Sequence, residues 1–125
     1  MPALPLPDSH PRADVLSEAC PSRLVLNHMT SRWGVLVLLV LSDGTHRFAQ
    51  LRRRIGGVSE RMLAQTLQQL ESHGLVHRRA YDVVPPHVEY SLTDLGRGAA
   101  ERVCALTGWI EANLPALRHG ASAPR

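Results

Sequence analysis

The clearest periodicity in the chain lies in GGVSERMLAQTLQQLESHGLVHRR, residues 56–79. Leu63, Leu67 and Leu70 recur at helical spacing with Met62 and Thr66 beside them, while Arg61, Gln65, Gln68 and Ser72 fall on the opposite face. Ser59 stands where an N-cap belongs and Gly74 where a helix stops. Just upstream, HRFAQLRRRIGG places Phe48, Leu51 and Ile55 at i, i+3 and i+7 and runs into Gly56 and Gly57. The pattern predicts a short helix, a tight turn and a second helix with a long polar face, which is the outline of a helix-turn-helix.

The pattern changes period after Gly74. LVHRRAY and HVEYSL read as strands, the second with Val88, Tyr90 and Leu92 alternating against His87, Glu89 and Ser91. DVVPP joins them, so a small β-hairpin, a wing, is expected directly after the polar helix. Such a hairpin is marginal alone and must lean on the helices. Thr93 then caps a last helix whose apolar stripe is Leu95, Ala99, Val103, Leu106, Ile110, Leu114 and Leu117, with Pro115 kinking or ending it. Towards the N-terminus, Val35 to Leu41 is an unbroken aliphatic run. Ser31 before it and Gly44 after it favour a buried helix over a buried strand. Pro21 suits the first turn of a short helix over 21–29.

The expected architecture is mostly α with a small β-hairpin: a winged helix-turn-helix domain with N- and C-terminal dimerisation helices. Residues 1–19 are expected as a flexible arm, 20–92 as the winged domain, 93–118 as the C-terminal dimerisation helix and 119–125 as a tail. The apolar stripe of the last helix is longer than a small winged domain needs to bury. Part of it, with Leu106, Trp109, Ile110 and Leu114, is therefore expected at a twofold homodimer interface.

Charge adds a partner. All 14 basic side chains are arginine, and the formal net charge is +3. Between Asp43 and Tyr81 seven arginines face three acids, so this segment carries more than the whole excess. A local basic patch on a near-neutral body suits a polyanion, although an arginine-rich solvated surface is the plainer alternative. On a helix-turn-helix the patch points to double-stranded DNA, since Arg and Gln read base edges bidentately in the major groove. The candidate DNA-binding residues are Ser59, Arg61, Gln65 and Gln68 on the second helix, Arg52 on the first, and Arg78, Arg79 and Tyr81 on the wing. In a regular strand Arg78 and Arg79 take opposite faces, so one of them joins Tyr81 towards DNA and the other pairs with an acid.

Some chemistry is not expected. There is no G-x-S-x-G, P-loop or H-E-x-x-H, the acids have no nucleophile or base beside them, and the seven histidines lack ligand spacing. Neither an enzyme nor a metal site nor a cofactor is expected. The longest apolar run is too short to span a membrane and the Pro-rich start lacks a signal-peptide core, so the cytoplasm is the expected location. Cys20 precedes Pro21 at a helix start, where the helix dipole would stabilise a thiolate; it reads as a redox or electrophile sensor or as an inert packed thiol. Cys104 reads as core or interface, with a Cys20–Cys104 bridge between subunits as a further option.

Residues 47–96, RFAQLRRRIGGVSERMLAQTLQQLESHGLVHRRAYDVVPPHVEYSLTDLG, resemble the HxlR-type family of bacterial winged helix-turn-helix regulators. The resemblance rests on RF-x-x-L, I-x-x-V-S-x-R-x-L, L-x-x-L-x-x-x-GL-x-x-R and above all VPP-x-VEYSLT-x-x-G, with Cys20-Pro21 and the region of Trp109 also matching. Where the family usually has GGKW, this chain has TSRW at 30–33 and lacks both glycines. The resemblance implies a homodimeric DNA-binding transcription regulator whose terminal helices pack together, and an oxidant sensor at Cys20. The alternatives are a ligand-gated repressor holding a small aromatic at the dimer interface and a non-specific winged-helix interaction module.

Overall fold

A computed structural model describes residues 14–117. The expected tail and most of the expected arm lie outside the described residues. In chain order the elements are α1 (Pro21–Met29), α2 (Arg32–Leu41), β1 (His46–Arg47), α3 (Phe48–Arg54), α4 (Glu60–Ser72), β2 (Val76–Tyr81), β3 (His87–Leu92) and α5 (Asp94–Ala112).

Helix starts follow their caps. Ser31 Oγ accepts the Gly34 N–H, Ser59 Oγ accepts the Met62 N–H, and Thr93 Oγ1 accepts the Gly96 N–H. Each satisfies one of the backbone donors that a helix start leaves without an internal partner. The aliphatic run is helical, as its end signals suggest. Val37 and Leu38 of α2 are fully buried at the centre of the core. Leu51 and Ile55 close on them from α3 and its end, Leu63, Leu67 and Leu70 from α4, and Ala99, Ala100 and Val103 from α5. The turn between α3 and α4 passes through Gly57 at φ +85°, a left-handed conformation that a side chain would disfavour.

The wing is larger than a hairpin. His46 and Arg47 pair antiparallel with Tyr90 and Glu89, giving a three-stranded sheet in the order β1-β3-β2. The helix read over HRFAQLRRR therefore begins only at Phe48. In the β2–β3 register Val76 faces Leu92, Arg78 faces Tyr90 and Arg79 faces Glu89. Val76 and Tyr90 bury one face of the sheet against the helices.

One detail of α5 departs from the expected stripe, and its far end follows the expectation at Pro115. Leu95 is 70% exposed, and the buried first-turn position belongs to Gly96. A Cβ on Gly96 would overlap the Leu75 carbonyl oxygen and stand 3.2 Å from Leu92 Cδ2, so only glycine lets the helix start this close to the root of β2. At the other end the helix breaks at Asn113, whose side chain donates to the Trp109 carbonyl, and one further helical turn covers 114–117. Pro115 accounts for the break: it has no N–H, and its ring would collide with the carbonyl of Glu111 in a continuous helix.

Candidate nucleic-acid interface

Helix α4 presents two chemically distinct faces. Leu63, Thr66, Leu67 and Leu70 are buried, and Thr66 satisfies its hydroxyl on the Met62 carbonyl. Arg61, Gln65 and Gln68 are exposed on the side away from this stripe. Among the described residues none of the three takes part in an ion pair or a side-chain hydrogen bond, so their donors and acceptors are free for an outside partner. Met62 is 39% exposed and lies at the border between the two faces.

Arg52 stands close to the start of this helix. With Arg53, Phe48, Ala49 and Glu60 it lines a shallow depression between α3 and α4, next to the capping Ser59. The positive end of the α4 dipole and these guanidinium groups make that corner attractive to an anion. Arg54 does not join them: it turns back to Asp43 at 3.0 Å and to His46 Nε2 at 3.3 Å, tying α3 to the α2–β1 loop.

The wing separates its two arginines as strand alternation requires. Arg79 and Tyr81 share one face with His87 and Glu89, while Arg78 shares the other with Val76. Both arginines are exposed, and the expected partner acid is missing: among the described residues neither is ion-paired. Glu89 is already engaged. It accepts the Tyr81 hydroxyl at 3.0 Å and lies 3.5 Å from His87 Nε2. Tyr81 also stacks on His87, and the Arg79 guanidinium lies 4.7 Å from the Tyr81 ring centre. The result is a braced platform with Arg79 over its ring, leaving the Arg79 donors available while fixing where they point.

Cys20 is the N-cap of α1, and its thiol lies 3.0 Å from Ser22 Oγ. The Ser22 hydroxyl, followed by the Ser22 backbone N–H, holds the thiol below its ordinary pKa. Cys104 is half-buried on α5 with its sulfur 4.0 Å from Ser42 Oγ; both cysteines are free. Leu106, Trp109 and Ile110 of α5, and Leu114 and Leu117 of the turn that follows it, are exposed large apolar side chains, and Leu24 and Leu26 of α1 are exposed as well. An exposed apolar stripe of this kind on a small chain marks an interaction surface.

One polar contact has no signature in the sequence. His28 Nδ1 and His73 Nε2 are 2.6 Å apart, joining the last turn of α1 to the C-cap of α4. Burial and the neighbouring His28 both hold His73 below the ordinary histidine pKa. The two residues are 45 positions apart, and only the packing of α1 on α4 brings them together. Among the described residues no three or more His, Cys, Asp or Glu side chains converge to hold a metal ion, and no single helix is long and apolar enough to cross a membrane.

This geometry recurs in known proteins. The chain is 65% identical over 102 residues to the HTH-type transcriptional regulator YtfH of Escherichia coli (strain K12), which covers 82% of this chain and 81% of that protein. The solved structure of ytfH from Salmonella typhimurium superposes with a TM-score of 0.85 at 57% identity, covering 90% of this chain and all of that one. The redox regulator HypR in its reduced form superposes with a TM-score of 0.72 at 37% identity, covering 78% and 97% of the two chains. The family model for the HxlR-like helix-turn-helix matches residues 28–118, spanning α2 through α5. With the polar α4, the three-stranded wing and the long α5 in this arrangement, the chain belongs to the HxlR-like helix-turn-helix family, a transcriptional regulator with a winged helix-turn-helix DNA-binding domain.

Proposed function

We propose that this regulator is a cytoplasmic homodimer that binds a two-fold operator and responds to oxidants or electrophiles through Cys20. The observation that carries the DNA reading is the free polar face of α4, with Arg61, Gln65 and Gln68 exposed opposite a fully buried leucine stripe. In this reading α4 lies in the major groove, where Arg61 and the glutamines meet base edges. Ser59 and Arg52 hold a phosphate at the α4 N-terminus, and Arg79 on its Tyr81 platform, with Arg78 on the other face of the strand, meets the flanking backbone. Residues 20–92 act as the reading head. Residues 93–118 join two heads through Leu106, Trp109, Ile110 and Leu114, the face that the monomer leaves uncovered.

Fluorescence anisotropy on a duplex from upstream of the gene, against a scrambled duplex at two salt concentrations, tests the reading. Tighter binding to the upstream duplex is expected, with Arg61→Ala costing about 1–3 kcal/mol of specific affinity. Equal binding of both duplexes by native protein and variant would refute the base-reading role. The sensor role is supported by the lowered thiol pKa of Cys20 and by the likeness to the redox regulator HypR. Cys20→Ser is expected to retain DNA affinity and to lose any oxidant response; a full response in that variant refutes the role.

A further inference from the structure

A cleft of about 510 Å³ opens where the end of α2, the loop leading to β1, the end of β3 and the middle of α5 meet. It lies away from the polar face of α4, away from Cys20, and within a single chain. Its floor is apolar: Leu41 and Ala100 are each 2% exposed, and Leu92 packs beside them. Its rim includes Ser42, Thr45 and Ser91, with Cys104 in one wall; the Ser42 hydroxyl donates to the Leu39 carbonyl at 2.5 Å, which leaves its oxygen to accept. The volume falls in the range of small-molecule sites, and an apolar floor with a few converging polar groups is their usual make-up.

The charges at its mouth narrow the class of occupant. Arg97 and Glu101 are the two charged lining residues, one of each sign, and each already has a neighbour on α5: Arg97 is paired with Asp94, and Glu101 with Arg102 at 3.3 Å. No net charge is left over to attract an ion. We propose that this cleft is a binding site for a small, uncharged, largely apolar molecule, one or two rings in size, that carries a hydroxyl able to donate to the Ser42 oxygen and to meet the polar rim at Thr45 and Ser91. Its walls come from the long helix on one side and from the wing sheet and the α2 end on the other. An occupant therefore wedges between the element proposed to join two subunits and the element proposed to lie on DNA. This consequence for DNA affinity rests on the regulator reading; binding in the cleft does not.

Cys104 reports occupancy directly. In full-length Cys20→Ser protein it is the remaining cysteine, and its alkylation by N-ethylmaleimide can be followed by mass spectrometry. The probe is 2-naphthol, two fused rings with one hydroxyl. At roughly ten times its dissociation constant it is expected to slow alkylation about tenfold. The protection should vanish in urea and be lost in Ser91→Phe, which fills the cleft from β3; Thr45→Phe serves the same purpose if Ser91→Phe fails to fold. Undiminished alkylation at millimolar 2-naphthol, or equal protection in both filled variants, overturns the proposal. Stronger protection by the anion 2-naphthoate overturns the uncharged class. Protection that disappears in Trp109→Glu would put the probe between subunits and also overturns it. Protection without any operator binding leaves the cleft standing and removes the DNA reading instead.

Discussion

Gly96 and Gly98 sit two residues apart near the start of α5, and adding a methyl group to each should have opposite effects. On Gly96 the new Cβ would overlap the Leu75 carbonyl oxygen, stand 2.9 Å from its carbon and 3.2 Å from Leu92 Cδ2. The carbonyl cannot easily retreat, because it accepts the Thr93 N–H at 3.1 Å while the Thr93 hydroxyl donates to the Gly74 carbonyl at 2.5 Å. The helix start must lift from the root of β2, straining both bonds and loosening Ala99, Ala100 and Val103 in the core. Overpacking against a fixed backbone costs about 3 kcal/mol. For a domain of this size that lowers the melting temperature by roughly 10–15 °C. On Gly98 the Cβ would meet only the tip of Arg102, at 3.7 Å. There the ordinary preference of a helix interior for alanine applies, a gain of about 0.5–1 kcal/mol. Thermal melts by circular dichroism at one fixed protein concentration decide the matter. A Gly96→Ala variant melting within a couple of degrees of the parent, or no better separated from Gly98→Ala than that, would refute the account of why α5 can begin where it does.

Three further outcomes are expected. Because the folded state holds His73 below its ordinary pKa, the unfolded chain binds the proton first as pH falls. Stability should therefore be lost as pH drops through about 6.5, and the urea midpoint of His73→Gln should fall less than that of the parent between neutral and mildly acidic pH; an equal fall in both would refute the role of the pair. Ser22→Ala should raise the pH at which the Cys20 thiol becomes alkylatable, since the Ser22 hydroxyl is the main cause of the lowered value; an unchanged pH profile would refute that cause. Trp109→Glu should turn the sedimenting species from dimer to monomer at micromolar concentration with helix content retained, and a dimer of undiminished stability would move the interface elsewhere.

Much of the winged helix-turn-helix fold was legible because its signals are local. Ser31, Ser59 and Thr93 each cap the helix they precede, and the leucine spacing of residues 63–70 located both faces of α4. What was missed depends on contacts between distant segments. A two-residue strand such as His46–Arg47 has no alternation to read and exists only because β3 offers it an edge. Leu95 fits the helical period of the α5 stripe, but a period cannot register that the backbone of Leu75 comes too near for any side chain at position 96, the buried place in that first turn. Arg78 and Arg79 alternated as expected, whereas Glu89, the acid opposite Arg79, is engaged by Tyr81 from across the hairpin and by His87 on its own strand. The His28–His73 contact and the Cys104–Ser42 neighbourhood span 45 and 62 positions and leave no trace in composition or spacing.

Thr93 has a mechanical consequence. Its side chain caps α5, and its N–H and hydroxyl fasten that helix to Leu75 and Gly74, the residues that directly follow α4 and its cap. The long helix is thus pinned, like a lever, beside the end of α4. Nineteen residues of α5 make an arm of about 28 Å. A tilt of about 5° at the pin sweeps the far end through about 2.5 Å, by the same arm length. Were the far ends of two such arms clamped together, that small tilt would appear at the pins instead, shifting the two reading helices against a DNA repeat that tolerates little mismatch.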